Sequence, residues 1–162
     1  HLFDVDVDDE QASYRESDTF EPGRQLVVTD TPFGGIGMTV CYDLRFPGLY
    51  QALNGLGAQL VTVPSAFTRV TGEAHWESLL RARAIENQVY VLAPGQGGRH
   101  NAKRTTWGHS MIVDPWGTVL ACHEQGEGVA VARIDLDMPE RLRATMPVAR
   151  HRRSFDAKGG VL

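Results

Sequence analysis

The sequence predicts an α/β fold with mixed sheets, and three observations support that prediction. Two strand–helix–strand units follow one another in the middle of the chain, which implies crossover connections and a sheet covered by helices. Turn signals before and after these units predict pairs of strands. With 162 residues, of which 42% are hydrophobic and 22% charged, the chain can bury one core, and no repeat or long linker divides it.

The chain begins with patterns typical of strands. Apolar and polar residues largely alternate over residues 2–7, which predicts a strand with no turn or cap before it. A loop is expected over residues 8–23. Two apolar runs at residues 25–29 and 36–40 then flank a turn at residues 31–35, so we expect two strands joined by that turn.

The first of the two middle units contains a short helix. This helix is predicted over residues 47–56, because Pro47 suits a first helical position and Gly57 suits a C-terminal cap. A buried strand is predicted next, over residues 59–63. The unit therefore returns to the sheet directly after its helix.

The second middle unit contains a longer helix, predicted over residues 73–87, and then a strand over residues 89–93. Apolar residues recur in this helix at spacings of three and four. The stripe consists of Trp76, Leu79, Leu80 and Ala84, with Ile85 as a further candidate. Arg81 and Arg83 are placed outside the stripe.

The last third of the chain returns to strands. The elements expected there are a hairpin of residues 110–113 and 118–122 around a turn at 114–117, a strand over residues 129–134, and a short helix ending near residue 146. Proline at the second turn position and glycine at the fourth favour a type I turn. Asp137, with Glu140 three residues later, forms a capping arrangement for the helix.

Composition and charge exclude several classes of function. The formal net charge of −4 gives the chain no electrostatic reason to bind nucleic acid. The basic cluster at residues 150–153 is interpreted as a solvated tail or a subunit contact. No apolar run is long enough to span a bilayer, and the acidic start is unlike a signal peptide, so no membrane association is expected.

The cysteine count and the absence of binding motifs further restrict the possible location and cofactors of the protein. Two cysteines are too few for a disulfide framework, which favours a reducing, cytoplasmic location. Neither a His-Glu-x-x-His nor a Cys-x-x-Cys motif occurs, so no metal site is expected. The glycine-rich run at residues 95–98 lacks the lysine and hydroxyl residue of a phosphate-binding loop. No cofactor is therefore expected.

Cys41 is the candidate nucleophile. It stands at the end of a predicted strand and just before a helix, where its side chain can point off the sheet edge and the helix N-terminus can favour a thiolate. A polar run, Tyr-Asp-x-Arg, follows it. Because cysteine is also a common small core residue, its position leaves nucleophile and buried core residue as equal alternatives. Cys122, in a hairpin strand, is interpreted as structural.

Several short motifs occur in a fixed order from Cys41 onward. They are CYDLRFP at 41–47, PSAF at 64–67, TGEAHWE at 71–77, RARAIENQ at 81–88, GHS at 108–110, DPWG at 114–117 and PVARHRR at 147–153. In order and spacing, over most of the chain, this set resembles the nitrilase superfamily of carbon–nitrogen hydrolases. Each motif alone is a weak signal, whereas their shared order is a specific one.

The resemblance implies a four-layer α-β-β-α sandwich and a Glu-Lys-Cys triad. Cys41 would attack a carbonyl, a glutamate would act as general base, and a lysine would stabilise the charged intermediate. The backbone amide of Tyr42 would donate to the oxyanion, and Glu16 matches a second glutamate that positions the lysine and the substrate. From the sequence alone, Glu16 is a loop carboxylate, and such a residue is more often solvated than functional.

The sequence departs from the family pattern at the other two triad positions. The only lysines are Lys103 and Lys158, and neither precedes Cys41. The family places its lysine just ahead of the segment that residues 1–4 resemble, and its base glutamate further upstream. We therefore expect the chain to be the C-terminal portion of a single carbon–nitrogen hydrolase domain, inactive by itself.

The resemblance also implies a substrate class, a small-molecule amide. Arg45 would bind a substrate carboxylate, with Phe67 and Thr71 as pocket residues, while for His75 packing competes with a pocket role. The runs at residues 70–72, 80–86 and 97–100 are most similar to the branch that acts on deaminated glutathione and related ω-amides of 2-oxoglutarate. The alternatives are a carbamoylase, a general aliphatic amidase, or a non-catalytic scaffold of the same fold.

A homodimer is the expected assembly. Members of the superfamily pair through surfaces that include the helix after the nucleophile, which corresponds here to residues 47–56. The apolar residues of this helix cover more of it than one buried stripe requires. They are Leu49, Tyr50, Leu53 and Leu56.

Overall fold

A computed structural model describes residues 1–9 and 13–154 of the chain, so Lys158 lies outside the described residues. The strands are β1 (Asp4–Asp6), β2 (Ser13–Arg15), β3 (Val28–Thr31), β4 (Gly34–Met38), β5 (Leu60–Thr62), β6 (Tyr90–Ala93), β7 (Gly97–Arg99), β8 (Thr105–Trp107), β9 (Ser110–Val113) and β10 (Val119–His123). The α-helices are α1 (Pro47–Gly55), α2 (Arg69–Asn87), α3 (Met138–Thr145) and α4 (Val148–His151). Two 3-10 helices span Glu16–Asp18 and Cys41–Arg45.

One mixed sheet organises the chain. Its six strands lie in the order β10-β9-β6-β5-β4-β3. The central strands β4, β5 and β6 are parallel to one another, and hairpins add antiparallel strands on both sides. Helices α1 and α2 are the crossovers between the parallel strands, which confirms the two predicted strand–helix–strand units. β1 with β2 and β7 with β8 form separate two-stranded ribbons.

The core lies between one face of this sheet and helices α1 and α2. Gly37, Val61, Val91 and Val113 stand side by side on that face, and all four are buried. The valines belong to one apolar cluster with side chains of both helices, which are Leu53, Trp76, Leu80 and Ala84. Burial of the predicted apolar stripe of α2 is thus the main interaction that stabilises the packing of the helices on the sheet.

The opposite face of the sheet is covered at one end only. Tyr90 is buried there by the segment just ahead of α3. Its hydroxyl donates to the carbonyl of Asp135 in that segment at 3.0 Å. Further along the same face, Met38 is 57% exposed, and Leu92 and Ile112 are half-buried. An apolar row therefore continues past the part of this face that the described residues cover.

Two predicted elements differ from the structure, and one hairpin was not predicted. The expected loop at 8–23 contains β2 and the first 3-10 helix. Residues 129–134 alternate between exposed and half-buried as a strand would, but no ladder involving them occurs within the described ranges, so this prediction of a strand was wrong. The glycine-rich run forms the β7–β8 hairpin, which was not predicted because glycine is depleted in strands.

The ends of two helices also differ from expectation. Helix α2 begins at Arg69, four residues earlier than predicted, because the Thr68 hydroxyl accepts from the N–H of Thr71 at 3.3 Å and caps it. The side chain of Asp137 makes no cap hydrogen bond to α3. The Asp135 carboxylate instead accepts from the Asp137 N–H at 3.0 Å, just outside the helix.

The exposure of individual helix residues corrects three predictions. Tyr50 and Leu53 are fully buried, so of the predicted apolar excess on α1 only Leu56 is exposed and Leu49 is half-buried. Ile85 is 44% exposed and lies outside the α2 stripe. Arg83, which was placed outside that stripe, is only 4% exposed, because its spacing from Leu80 puts it on the buried face.

Arg83 joins α2 to the segment that follows Cys41. Its Nε donates to the carbonyl of Leu44 at 3.0 Å, and a terminal nitrogen contacts a Glu86 carboxylate oxygen at 3.1 Å. Its guanidinium carbon lies 5.6 Å from the centre of the Tyr50 ring. Leu44 is fully buried, so no water can replace this donor.

Arg83→Met should lower the free energy of unfolding by about 3 kcal/mol, because it leaves the Leu44 carbonyl unpaired in the core while the Glu86 carboxylate can still reach water. Urea unfolding followed by circular dichroism measures the loss. Arg69→Met, on the exposed first turn of the same helix, is the matched control and should change stability by less than about 0.5 kcal/mol. Equal losses of stability in the two variants would show that the hydrogen bond from Arg83 to the Leu44 carbonyl contributes nothing to the stability.

Candidate active site

The carboxyl ends of the three parallel strands open into one cavity of about 770 Å³. Cys41 follows β4, the segment 64–67 follows β5, and the segment 94–96 follows β6, and all three border this cavity. Ligands of open α/β sheets bind at this edge, because loops from neighbouring parallel strands converge there. Glu16, Tyr42, Arg45, Phe67 and Thr71 border the same cavity.

The backbone of Cys41 is held in a left-handed conformation, with φ of 46°. The N–H of Cys41 donates to the carbonyl of Pro64 at 2.9 Å, which joins the ends of β4 and β5. The chain then turns directly into the 3-10 helix Cys41–Arg45, while α1 begins only at Pro47. A strained backbone at a strand end turns the side chain out of the sheet, and strained non-glycine residues cluster at functional sites, although they also cap helices, as Gln88 does after α2.

The thiol of Cys41 is half-buried. Burial is the main cause that raises its pKa above the ordinary value, while hydrogen bonds from the Ala66 backbone and the Ser65 side chain act in the opposite direction. The charge of Glu16 raises the pKa further. The pKa of the thiol is therefore raised rather than lowered, so a base that removes the proton would assist attack.

Tyr42 presents an unused backbone donor next to the thiol. Among the described residues, no acceptor lies within hydrogen-bond distance of its N–H. Its ring packs edge-on against Phe3 and Phe46, with ring centres 5.1 and 5.3 Å away. Packing on both sides fixes the backbone here, as preorganised oxyanion donors require.

Glu16 is brought to the cavity from a distant part of the sequence. The N–H of Phe3 donates to its carboxylate at 2.9 Å, and the backbone carbonyl of Glu16 accepts from the N–H groups of Thr19 and Phe20. The pairing of β1 with β2 places this segment beside Cys41. The sequence could not show that Glu16 lies near Cys41, because the two residues are far apart along the chain.

Arg45 is half-buried in the cavity wall and has no carboxylate partner among residues 1–9 and 13–154. Its guanidinium carbon lies 5.2 Å from the centre of the Phe67 ring and 6.0 Å from that of Tyr42. Burial lowers the pKa of Arg45 below its ordinary value. A guanidinium in this state can form a two-point contact with a ligand carboxylate.

His75 does not reach the cavity. It is exposed on α2, and its Nδ1 lies 3.3 Å from a terminal nitrogen of Arg45. The structure therefore places His75 behind Arg45 rather than in the pocket. Thr71, one turn earlier, does border the cavity, and its hydroxyl lies 2.8 Å from that of Thr68.

Close contact between α2 and the β7–β8 hairpin completes the wall beside Thr71. Gly72 faces Trp107 so closely that an added Cβ would lie 2.2 Å from the Cβ of the tryptophan. The N–H of Trp107 also donates to the carbonyl of Phe67 at 3.0 Å. Any side chain at residue 72 would push the hairpin away from the cavity.

Three cavity residues were not singled out from the sequence. Ser65 and Tyr14 are buried, and the Tyr14 hydroxyl donates to the Asp9 carboxylate at 2.8 Å. Burial raises the pKa of Tyr14 to about 12. Arg104 enters from the β7–β8 hairpin. A signal existed only for Ser65, which lies in the PSAF motif.

Neither a membrane-spanning helix nor a metal-binding cluster occurs among the described residues. No helix among them is long and apolar enough to cross a membrane. Within the same ranges, no group of three or more histidine, cysteine, aspartate or glutamate side chains is arranged to hold a metal ion. Both cysteines are free thiols, and Cys122, interpreted as structural, is exposed.

Comparison with known proteins identifies relatives of the whole described region. The model of the carbon–nitrogen hydrolase family matches residues 1–144. A Yersinia enterocolitica protein named deaminated glutathione amidase is 56% identical over 153 residues, which cover 94% of this chain and 54% of that protein. The chain thus spans about half the length of the curated relatives that it matches.

Solved structures confirm the nitrilase-type α/β fold. The crystal structure of the Caenorhabditis elegans NitFhit protein is 49% identical with a TM-score of 0.87, over 94% of this chain and 37% of that chain. An amidase from Nesterenkonia is 30% identical with a TM-score of 0.67, over 82% of this chain and 52% of that chain. In that amidase, acrylamide has added to the active site cysteine.

The raised pKa predicts how Cys41 reacts with an alkylating agent. In Cys122→Ser protein, the rate of reaction with iodoacetamide should rise with pH and reach its midpoint at a higher pH than in the denatured protein, because burial disfavours the thiolate. Mass spectrometry of the Cys41 peptide gives this rate, and a denatured sample provides the ordinary thiol profile as control. A midpoint below that of the denatured sample would contradict the effect of burial.

Proposed function

Because the chain belongs to the carbon–nitrogen hydrolase family, whose model matches residues 1–144, we propose that it hydrolyses an amide through a thioester on Cys41. The observation that supports this most is the left-handed Cys41 at the carboxyl edge of the parallel strands. The unused N–H of Tyr42 and the unpaired guanidinium of Arg45 border the same cavity. Nucleophile, oxyanion donor and anion-binding group are thus combined in one site.

The proposed reaction proceeds in two halves. The Cys41 sulfur attacks the amide carbonyl carbon as its proton passes to a base, and the Tyr42 N–H donates to the resulting oxyanion. The C–N bond then breaks, and the amine leaves with that proton. Water next attacks the thioester carbonyl, which releases a carboxylic acid and restores the thiol.

Because burial raises the pKa of Cys41, the proposed attack needs a base that removes the thiol proton. The resemblance assigns the base and the lysine to positions that this sequence does not contain, and Lys103 is exposed at a hairpin tip. The proposal is therefore made for the full-length enzyme, with Glu16 as the second carboxylate. The N–H of Phe3 holds Glu16 in the cavity, which supports a positioning role for this carboxylate.

The proposed substrate carries a carboxylate on its acyl group. Arg45 is half-buried without a described counter-anion, and Phe67 and Thr71 flank it in the wall. An ω-amide of a 2-oxoglutarate-type acid fits this cavity, and the name of the Yersinia relative points to deaminated glutathione as such an amide.

We also propose a cytoplasmic homodimer. The two unpaired thiols support the location, because a reducing compartment keeps cysteines free. Leu56, which is 58% exposed and directly follows the last residue of α1, supports a subunit contact at that end of the helix. A monomeric mass of the full-length enzyme in light scattering would contradict the dimer.

Cys41→Ser in the full-length enzyme should abolish hydrolysis of an ω-amide while the free energy of unfolding changes by less than about 1 kcal/mol, because the hydroxyl replaces the thiol in size but not in nucleophilicity. Product release measured by liquid chromatography gives the activity, and urea unfolding gives the stability. Cys122→Ser is the matched control and should keep full activity. More than a trace of activity in Cys41→Ser would exclude Cys41 as the nucleophile.

Arg45→Ala should lower kcat/KM for an ω-amide with an acyl carboxylate by roughly 30-fold, equal to about 2 kcal/mol, relative to a neutral aliphatic amide. The physical reason is loss of a half-buried two-point contact, which lysine cannot reproduce, so Arg45→Lys should show most of the same loss. The ratio of kcat/KM for the two amides measures the effect. An unchanged ratio would show that Arg45 only supports the wall and would favour a general aliphatic amidase.

A further inference from the structure

We propose that Asp43 is a positioning residue for the reaction, because its carboxylate fixes the turn that carries Cys41 and Tyr42. The same carboxylate joins this turn to the segment that holds Glu16. Asp43 does not border the cavity that contains Cys41, so it acts through these residues rather than on the substrate. The inference rests on the proposed function and adds to it a residue that is neither nucleophile, base nor oxyanion donor.

Asp43 closes the turn with two hydrogen bonds to one residue. The N–H of Val40 donates to a carboxylate oxygen of Asp43 at 2.9 Å, and the N–H of Asp43 donates to the carbonyl of Val40 at 3.0 Å. An acidic side chain at the third position of a helical turn commonly accepts this N–H. Cys41 and Tyr42 lie between the two bonded residues, so their backbone is part of a closed ring. This ring helps to hold Cys41 in its left-handed conformation.

The same arrangement leaves the N–H of Tyr42 unused. Val40 occupies the cap position of the 3-10 helix Cys41–Arg45, where a polar side chain would accept from the second or third N–H of the helix. Valine has no such acceptor, and both carboxylate oxygens of Asp43 already have other partners. The proposed oxyanion donor is therefore held in place by its neighbours and still available to a ligand, as preorganised stabilisation requires.

The second oxygen of the Asp43 carboxylate contacts the segment ahead of β1. It lies 2.7 Å from the Nδ1 of His1, whose ring stacks on that of Phe46 with ring centres 3.6 Å apart. Two residues after His1, the N–H of Phe3 donates to the Glu16 carboxylate at 2.9 Å. One carboxylate therefore bonds both the nucleophile turn and the segment that holds the second carboxylate of the site. Such shared contacts keep reacting groups in a fixed relative position.

Asp114 provides a matched aspartate that holds a turn away from the cavity. Its carboxylate accepts from the N–H groups of Trp116 at 2.9 Å and Thr118 at 2.8 Å. The side chain of Asp43 is 13% exposed and Asp114 is 7% exposed, so water competes little for the oxygens of either. Asp114 does not border the cavity that contains Cys41. A comparison of the two aspartates therefore separates the stability of a turn from the positioning of the site.

The first test measures the hydrolysis of an ω-amide of a dicarboxylic acid by the full-length enzyme. Asp43→Ala should lower kcat by roughly 30-fold or more, because the sulfur and the oxyanion donor shift relative to the carbonyl. Calorimetric binding of the amide to Cys41→Ser enzyme should change by less than about twofold when Asp43→Ala is added. Asp43→Asn, whose side-chain oxygen can still accept from the N–H of Val40, should keep kcat within about threefold of the wild-type value.

The control for this test is Asp114→Ala in the same full-length enzyme. It should lower the midpoint of urea unfolding, as Asp43→Ala does, and leave kcat unchanged. An unchanged kcat in Asp43→Ala would overturn the proposal. An equal loss of kcat in Asp114→Ala would overturn it as well, because the loss would then follow from reduced stability alone.

A second measurement follows the turn itself and does not depend on activity. Amide hydrogen exchange of the full-length enzyme, resolved by residue with NMR, should be at least about tenfold slower at Val40 in the wild type than in Asp43→Ala. Asp43→Asn should restore the slow exchange. Equal exchange rates at Val40 in the wild type and in Asp43→Ala would overturn the proposal.

Two further outcomes are decided by the wild-type enzyme alone. If Asp43→Ala does not fold, a wild-type Val40 amide that exchanges as fast as in the denatured enzyme would overturn the proposal, whereas slow exchange would support it. If wild-type enzyme hydrolyses no ω-amide, the proposed function fails and the positioning role fails with it, even where slow exchange at Val40 shows that Asp43 holds the turn.

Discussion

The hydrogen bond from the N–H of Cys41 to the carbonyl of Pro64 is the contact on which the site depends. It joins the ends of two parallel strands and holds Cys41 at a φ of 46°, a conformation that an unsupported cysteine would leave. The sulfur and the N–H of Tyr42 are both positioned by this turn. Arg83 supports the turn from the other side through the carbonyl of Leu44.

Burial and charge act against each other around the thiol. Burial raises the pKa of Cys41, and the Arg104 charge offsets only part of that rise. A neutral thiol is stable against adventitious oxidation and alkylation, but it must lose a proton before it can attack. Arg45, which has no carboxylate partner among the described residues, is meanwhile available to the carboxylate of the proposed substrate.

Local patterns predicted the elements that form the scaffold, including α1 with Pro47 at its start, the three parallel strands and the hairpin around the turn at residues 114–117. These elements depend on neighbours in sequence, so periodicity and turn chemistry reveal them. Residues 129–134 show the limit of this approach, because alternation predicts an extended chain but cannot supply the strand that would pair with it. The start of α2 likewise depended on the Thr68 cap, whereas no side chain caps the start of α3.

The site was only partly predictable, for a related reason. The order of motifs indicated Cys41, Arg45 and Thr71, whereas Arg104 lies in a glycine-rich hairpin with no motif around it. Arg83 was predicted to lie outside the apolar stripe of α2 because it is charged. Its spacing along the helix nevertheless places it on the buried face, where its guanidinium contacts the Leu44 carbonyl, a Glu86 carboxylate oxygen and the Tyr50 ring. The state of the thiol depends on burial, which no local sequence pattern shows.

A covalent acyl group on Cys41 is the most direct consequence of the proposed chemistry. Full-length enzyme mixed with an ω-amide of a dicarboxylic acid, quenched in acid within milliseconds and digested, can be analysed by mass spectrometry. We expect the mass of the acyl group on the peptide that contains Cys41, and its absence when the amide is omitted. Rapid product formation without this adduct, or an adduct on Cys122 instead, would contradict the account.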